Sequence, residues 1–156
     1  MNGVSLRRNK LTALADAEPL VKSKGAQMTG ITLDARTRAR RRRYGVLAGF
    51  LLVSVVFEAA KHATGYWQIA VFATAPDLTL LAGLGSDLAR GQLHPRAVVP
   101  YNVVHSMWSP LALLLIACLP GMPLGYFIGG LAWSLHIAID RALGYGLRTR
   151  DGFQRN

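Results

Sequence analysis

Four long apolar runs follow one another in the last two thirds of the chain. They cover Tyr44–Phe57, Tyr66–Leu84, Val98–Leu119 and Pro123–Leu143. With its ends included, each run has roughly 17–22 residues, close to the ~20 that an α-helix needs to cross about 30 Å of hydrocarbon. The pattern predicts an all-α, polytopic membrane protein with four transmembrane helices.

Residues that break helices separate these runs, and glycine and proline are the most frequent of them. They are Gly65, the stretch from Gly85 to Pro100, the turn Pro120–Pro123, and Gly144 with Gly146. We therefore predict a transmembrane domain over residues 44–147, followed by a short cytoplasmic tail over residues 148–156.

Two other interpretations of the apolar runs are open. An Arg-rich segment before an apolar run is typical of a cleaved signal peptide, but 43 residues are too many for its basic region and three further runs follow. A soluble helical bundle also contains apolar helices. Its surface helices need a polar stripe, however, and Leu111–Leu119 has none.

Residues 1–43 differ sharply from the apolar part. They contain eleven Lys/Arg against three acidic residues, whereas residues 44–156 contain seven against five. The segment ends in Arg36–Arg43, where six of eight residues are arginine. Like charges at this density repel one another and bury no apolar surface, so we expect a basic, disordered cytoplasmic extension.

The positive charge also indicates orientation and partners. Basic residues flank one side of the predicted helices, in Arg36–Arg43, at Arg90 and Arg96, and at Arg148, while the other side has Lys61. This bias predicts cytoplasmic N- and C-termini in a multi-pass protein of the plasma (inner) membrane. The arginine tract is expected to contact anionic lipid headgroups. The near-neutral apolar part argues against a nucleic-acid partner.

A few ionisable residues interrupt the apolar runs. An Asp at mid-bilayer costs about 2.5–3.5 kcal/mol, so such residues are informative about function. With both termini inside, Asp77, His105, His136 and Asp140 fall within one or two helical turns of the same depth. Two imidazoles and two carboxylates could bind a divalent metal such as zinc, or activate water.

Other roles for this cluster are open as well. The two carboxylates could be buried partners of Arg141, Arg96, His105 or a tyrosine hydroxyl, and so hold the helices together. An ion or proton path is a third alternative.

Three segments resemble a bacterial family of small integral membrane proteins that is described as a domain of unknown function. The segments are Ala75–Gly83, Tyr101–Ser106 and His136–Leu147, and the similarity covers residues 44–153. The last segment, with the pattern H-x-x-x-D-R-x-L-G-Y-G-L, is the most specific. The resemblance implies a compact membrane protein with several helices.

A looser pattern is similar to the metal-dependent hydrolases of bacterial inner membranes. The matching positions are Pro76-Asp77, His105, and His136 with Asp140. This similarity does not assign a reaction, but it favours the hypothesis of a metal-dependent hydrolase that acts on a membrane-embedded substrate, with the metal held by Asp77, His105, His136 and Asp140. In that hypothesis Tyr101 orients substrate or water. The alternatives are a non-catalytic membrane scaffold whose cluster is a structural polar network, and a small channel component.

Overall fold

Most of the described part of the chain is helical. A computed structural model describes the backbone of residues 3–83 and 88–155, and side chains from residue 30 onward. In these ranges it contains six α-helices, one 3₁₀ turn over Ala75–Asp77, and no strand beyond an isolated bridge between Arg148 and Gln154. The helices are α1 (Gly3–His62), α2 (Tyr66–Thr74), α3 (Leu78–Leu81), α4 (Pro95–Val104), α5 (Trp108–Ala117) and α6 (Leu124–Leu143). The all-α prediction is confirmed for the described residues.

Helix α1 begins much earlier than the sequence predicted. It extends over 60 residues, and its first part includes the segment for which we expected disorder. Leu, Ala, Lys and Arg are frequent in residues 3–43 and all favour helix. An ion pair of 2.7 Å between Asp34 and Arg38, one turn apart, offsets part of the charge repulsion. The chain divides into two units, residues 1–40 and residues 41–156.

Helix α6 is central to the second unit. Its Ile128 and Ala132 pack with Val55 and Ala59 of α1 in one buried apolar cluster. One or two turns further along, Ala138 of α6 packs with Ala48 and Leu51 of α1 in a second cluster. The apolar half of α1 is thus fixed against the whole length of the helix that carries two of the predicted site residues.

Small residues bring two other helices close to α6. A Cβ atom added to Gly129 would lie 2.6 Å from the Phe72 ring of α2, and one added to Gly130 would lie 2.8 Å from the Leu114 side chain of α5. Glycine at these positions therefore permits the close approach of helices that is common in membrane proteins.

Two of the four predicted helices are broken, which corrects the prediction of four continuous helices. The second run forms α2, the 3₁₀ turn and the short α3, because Pro76 has no N–H to donate to the Phe72 carbonyl four residues earlier. The third run forms α4 and α5, whose axes differ by 42°. Pro110, in the first turn of α5, has no N–H to donate to the Ser106 carbonyl, which disfavours a continuous helix over the residues between α4 and α5.

One or two segments of the described chain are long and apolar enough to span a membrane. One segment, Gly30–His62 of α1, is long and apolar enough to cross a bilayer, and a second is found if the bent pair α4 and α5 counts as one span. The four-span topology is therefore not confirmed. Only 22% of the apolar window in α1 is buried, and Val46, Phe50 and Val53 are exposed. These features are a weak indication of membrane association.

The C-terminal segment folds back onto α4 and the residues just before it. The Leu93 amide donates to the Gly152 carbonyl at 3.0 Å. The Asn102 side chain accepts from the Arg148 amide at 2.7 Å and donates to the Arg148 carbonyl at 2.9 Å. These bonds attach the segment that was predicted as a short tail directly to the helix that precedes His105.

Candidate metal centre

The structure brings the four predicted ionisable residues together. Asp77 ends the 3₁₀ turn, His105 follows the last residue of α4, and His136 and Asp140 lie one turn apart on α6. The two imidazole Nε2 atoms are 3.5 Å apart, and each lies within 3.8 Å of an oxygen of both carboxylates. Three separate helical segments thus supply one cluster, as the sequence predicted.

Three of these residues form a nearly equilateral triangle of possible ligand atoms. Asp77 Oδ1 lies 3.4 Å from His105 Nε2 and 3.6 Å from His136 Nε2, and the two nitrogens are 3.5 Å apart. Ligands about 2.1 Å from one zinc ion at tetrahedral angles are separated by about 3.4 Å. The triangle therefore has the dimensions of one face of a zinc coordination tetrahedron.

Asp140 lies beside this triangle. Its Oδ2 is 3.7 Å from His105 Nε2 and 3.8 Å from His136 Nε2. The group whose ligand atoms all lie within 4.8 Å of one another consists of Asp77, His105 and His136, without Asp140. Asp140 is therefore placed as a neighbour of the three-ligand set, from which it can become a fourth ligand or contact a bound water.

The cluster is buried on one side and open on the other. The His105 side chain is fully buried, and the His136 and Asp140 side chains are 11% and 18% exposed. Asp77 is 53% exposed. The exposed side of the cluster is therefore the side at Asp77.

His105 is oriented by Tyr101. Its Nδ1 lies 3.0 Å from the Tyr101 carbonyl oxygen, and the two rings stack with centroids 4.0 Å apart. A carbonyl oxygen only accepts hydrogen bonds, so Nδ1 carries a proton in this contact, and Nε2 is the ring nitrogen that faces the cluster. Metal-binding histidines are commonly held in this way by a partner at the second ring nitrogen.

Tyr101 itself is buried behind His105. Its hydroxyl donates to the Gly146 carbonyl at 3.4 Å, and the Arg148 guanidinium carbon lies 5.4 Å from the centre of its ring. These contacts indicate that Tyr101 supports the imidazole. Its predicted action on substrate or water stays a prediction.

The predicted arginine partners of the carboxylates make other contacts. Arg141 donates to the His105 carbonyl at 2.7 Å and to the Tyr145 carbonyl at 2.8 Å, and Arg96 donates to the Ala82 carbonyl at 3.4 Å. Within the described residues, the ion-pair contacts found for Asp77 and Asp140 are with the two histidines.

The sequence did not predict two side-chain contacts that support the cluster. The indole of Trp133 donates to the Val104 carbonyl at 2.8 Å, and Arg141 holds the next carbonyl along the chain. Nothing in the sequence pattern of Trp133 indicates such a contact. Arg141 follows Asp140 in an apolar helix, which drew attention to its charge, but the sequence pointed to a carboxylate as its partner.

Comparison with known proteins confirms the predicted resemblance to a family described as a domain of unknown function. A search of curated proteins and a search of solved structures find no match to this chain. A family described as "Domain of unknown function (DUF4260)" matches residues 45–156, which include all four cluster residues and Tyr101. The chain therefore belongs to the DUF4260 family.

Proposed function

We propose that this protein is a membrane-embedded, metal-dependent hydrolase with a single divalent metal, zinc by preference, bound by Asp77, His105 and His136. The observation that carries the proposal is the triangle of ligand atoms with sides of 3.4, 3.5 and 3.6 Å. Two imidazoles and one carboxylate are a known catalytic zinc set, in which the fourth position is left for water.

The chemistry follows from this donor set. A bound divalent cation lowers the pKa of its water and polarises an ester or phosphoester bond. Asp140 lies next to both imidazoles, where its carboxylate can accept a proton from that water or complete the coordination. His105 and His136 hold their positions on separate helices, so the site is built before substrate arrives.

The helix breaks support a site at membrane depth. Asp77 lies in the break of the second apolar run, and His105 lies in the break of the third. Irregular backbone within a bilayer is tolerated where protein buries it or where it lines a polar cavity, and broken helices often carry the ligand site of membrane proteins. We therefore retain four passes, two of them discontinuous, with both termini in the cytoplasm and Arg36–Arg43 against anionic headgroups.

Exposed apolar residues close to the ligands along the chain favour an amphiphilic substrate. Leu78 and Leu81 follow Asp77, Val103 precedes His105, and Trp108 begins the next helix; all four are exposed. A substrate with an acyl or other apolar chain can lie against these side chains while its polar ester or phosphoester group reaches Asp77. A lipid of this kind is the substrate class that we propose.

Metal content is the first experiment. Protein purified in detergent, stripped with chelator and reloaded with zinc, is expected to retain close to one zinc per chain, and His136→Ala is expected to lose it. His62→Ala is the matched control, because His62 also pairs with a carboxylate one turn away, Glu58, at 3.4 Å but belongs to no three-residue group described here.

The outcomes separate the candidate functions. Zinc in wild type and His62→Ala but not in His136→Ala supports the metal site, and hydrolysis of phospholipid or acyl-ester vesicles by the zinc-loaded protein then supports the hydrolase. Absence of zinc from the wild type contradicts the proposal and favours a non-catalytic scaffold, in which the cluster acts as a polar network between helices.

A further inference from the structure

The break between α4 and α5 leaves backbone carbonyls without their helical donors. In a continuous helix the carbonyls of Val104 and His105 would accept from the amides of Trp108 and Ser109. Here the Trp108 amide points to the Ser106 hydroxyl at 3.4 Å, and the Ser109 amide donates to the Ser106 carbonyl at 3.1 Å. Both carbonyls therefore need other donors, because a backbone carbonyl without a hydrogen bond is costly in an apolar environment.

Side chains of α6 supply them. The Trp133 indole donates to the Val104 carbonyl at 2.8 Å, and the Arg141 guanidinium donates to the His105 carbonyl at 2.7 Å. One helix thus supplies the donors for the Val104 and His105 carbonyls, and it also carries His136 and Asp140. The position of His105 relative to the α6 residues is set by these bonds.

Arg141 is a buried charged residue that donates to two backbone carbonyls. It is buried, with 7% of its surface exposed, and its second donor goes to the Tyr145 carbonyl at 2.8 Å. Its guanidinium therefore joins the end of α4 to the chain just after α6. A planar group with several fixed donors can bridge two carbonyls, which a lysine ammonium does less well.

We propose that Arg141 is a positioning residue for the metal ligand His105. It fixes the His105 backbone through the carbonyl, and Tyr101 fixes the ring through Nδ1, so together they aim Nε2 at Asp77 and His136. This inference rests on the proposed metal site for its effect on metal affinity, but the orientation of His105 can be measured without metal.

The test compares Arg141→Gln and Arg141→Lys with Arg41→Gln. Arg41 is a matched control because its guanidinium also donates to backbone carbonyls at the end of α6, those of Ala142 at 3.0 Å and Leu143, without contacting His105. Two measurements are made on detergent-purified protein. The first is the ¹⁵N spectrum of the histidine side chains without metal, and the second is the affinity and visible spectrum of bound cobalt(II).

We expect the wild type and Arg41→Gln to show the Nδ1-protonated tautomer of His105 and the same tetrahedral cobalt spectrum. In Arg141→Gln the tautomers of His105 become mixed, and cobalt binds at least about tenfold more weakly with an altered spectrum. Arg141→Lys is expected to recover part of both signals, since it keeps the charge and one donor.

An unchanged His105 signal in Arg141→Gln, at wild-type helical content, would overturn the inference. If Arg141→Gln does not fold, the ¹⁵N spectrum and the cobalt affinity are measured on Arg141→Lys instead. A wild-type tautomer of His105 together with wild-type cobalt affinity in that variant also overturns the inference. A wild-type protein that binds no cobalt contradicts the proposed function, while the metal-free spectra still decide whether Arg141 positions His105.

Discussion

His105 shows how single contacts decide the chemistry of a side chain. Its ring nitrogen Nδ1 is used by the Tyr101 carbonyl, its own carbonyl is used by Arg141, and its Nε2 faces the Asp77 and Asp140 carboxylates. The Tyr101 carbonyl fixes the orientation of the ring and the position of the Nδ1 proton, and Arg141 fixes the position of the backbone. A residue held in this way loses little conformational entropy when a metal binds.

The two parts of Tyr101 can be separated by substitution. Tyr101→Phe keeps the stacked ring and the carbonyl that accepts from His105, and it removes only the long hydroxyl bond to Gly146. We expect its zinc affinity to stay within about twofold of wild type, because outer contacts to the ligand are preserved. Tyr101→Leu removes the ring and is expected to weaken zinc binding by about tenfold.

Competition with a zinc-selective chelator measures both affinities. Weakened zinc binding in Tyr101→Phe would contradict the conclusion that the ring and the carbonyl of Tyr101, rather than its hydroxyl, support His105. Loss of hydrolysis in Tyr101→Phe at unchanged zinc affinity would instead support the predicted role of the hydroxyl on substrate or water.

Sequence reasoning identified the cluster residues because charge is costly in an apolar run. Asp77, Asp140 and the two histidines stood out for that reason, and the assumed topology placed them at one depth. The supporting contacts of Trp133 and Arg141 were not predictable, because they depend on carbonyls that become free only when the third run breaks. A pattern of residue types does not record which carbonyls lack a donor.

At the level of elements, the irregular connections determine where the ligands lie. The 3₁₀ turn presents Asp77, the bend after α4 presents His105, and the C-terminal segment is hydrogen-bonded to Leu93 before α4 and to Asn102 within it. Periodicity and length predicted the existence of the apolar segments. They did not predict the breaks, because the apolar runs extend on both sides of Pro76 and Pro110 and have the length of a continuous membrane helix.

Gly152 tests the importance of the C-terminal segment. Its φ of 90° disfavours any side chain, and an added Cβ would lie 1.8 Å from the Leu93 carbonyl oxygen. Gly91 has a similar φ of 79° but open space around it, so it is a matched control. Gly91→Ala is expected to cost about 1–2 kcal/mol of unfolding free energy from the backbone alone.

Gly152→Ala is expected to cost more than Gly91→Ala by at least about 1 kcal/mol, because the clash displaces the segment from Leu93. Denaturant unfolding in detergent, followed by circular dichroism, measures the difference. Equal losses in the two variants would show that the contact with Leu93 does not stabilise the protein.

At the level of the whole molecule, the exposed apolar surface and the arginine tract fit a membrane setting. Val46, Phe50 and Val53 are exposed on α1, immediately after the tract Arg36–Arg43. Composition alone predicted this division of the chain into a basic and an apolar part. The number of passes was harder to predict, because a broken run can cross a bilayer, enter it partway or pack inside a protein.

Topology can be tested by cysteine labelling in cells. The exposed Cys118 is first replaced by Ser, and single cysteines are then placed at Arg150 and at Met122. An impermeant maleimide is expected to label Met122→Cys in intact cells, and Arg150→Cys only after the cells are opened. Labelling of Arg150→Cys from outside would overturn the cytoplasmic C-terminus.

The central claim is that Asp77, His105 and His136 bind one metal ion. It is tested most directly by identifying the atoms that coordinate bound zinc. X-ray absorption at the zinc edge of the reloaded wild-type protein is expected to show only nitrogen and oxygen ligands at about 2.0–2.1 Å, with outer-shell scattering from two imidazoles. A sulfur ligand at about 2.3 Å, or scattering from fewer than two imidazoles, would contradict the account.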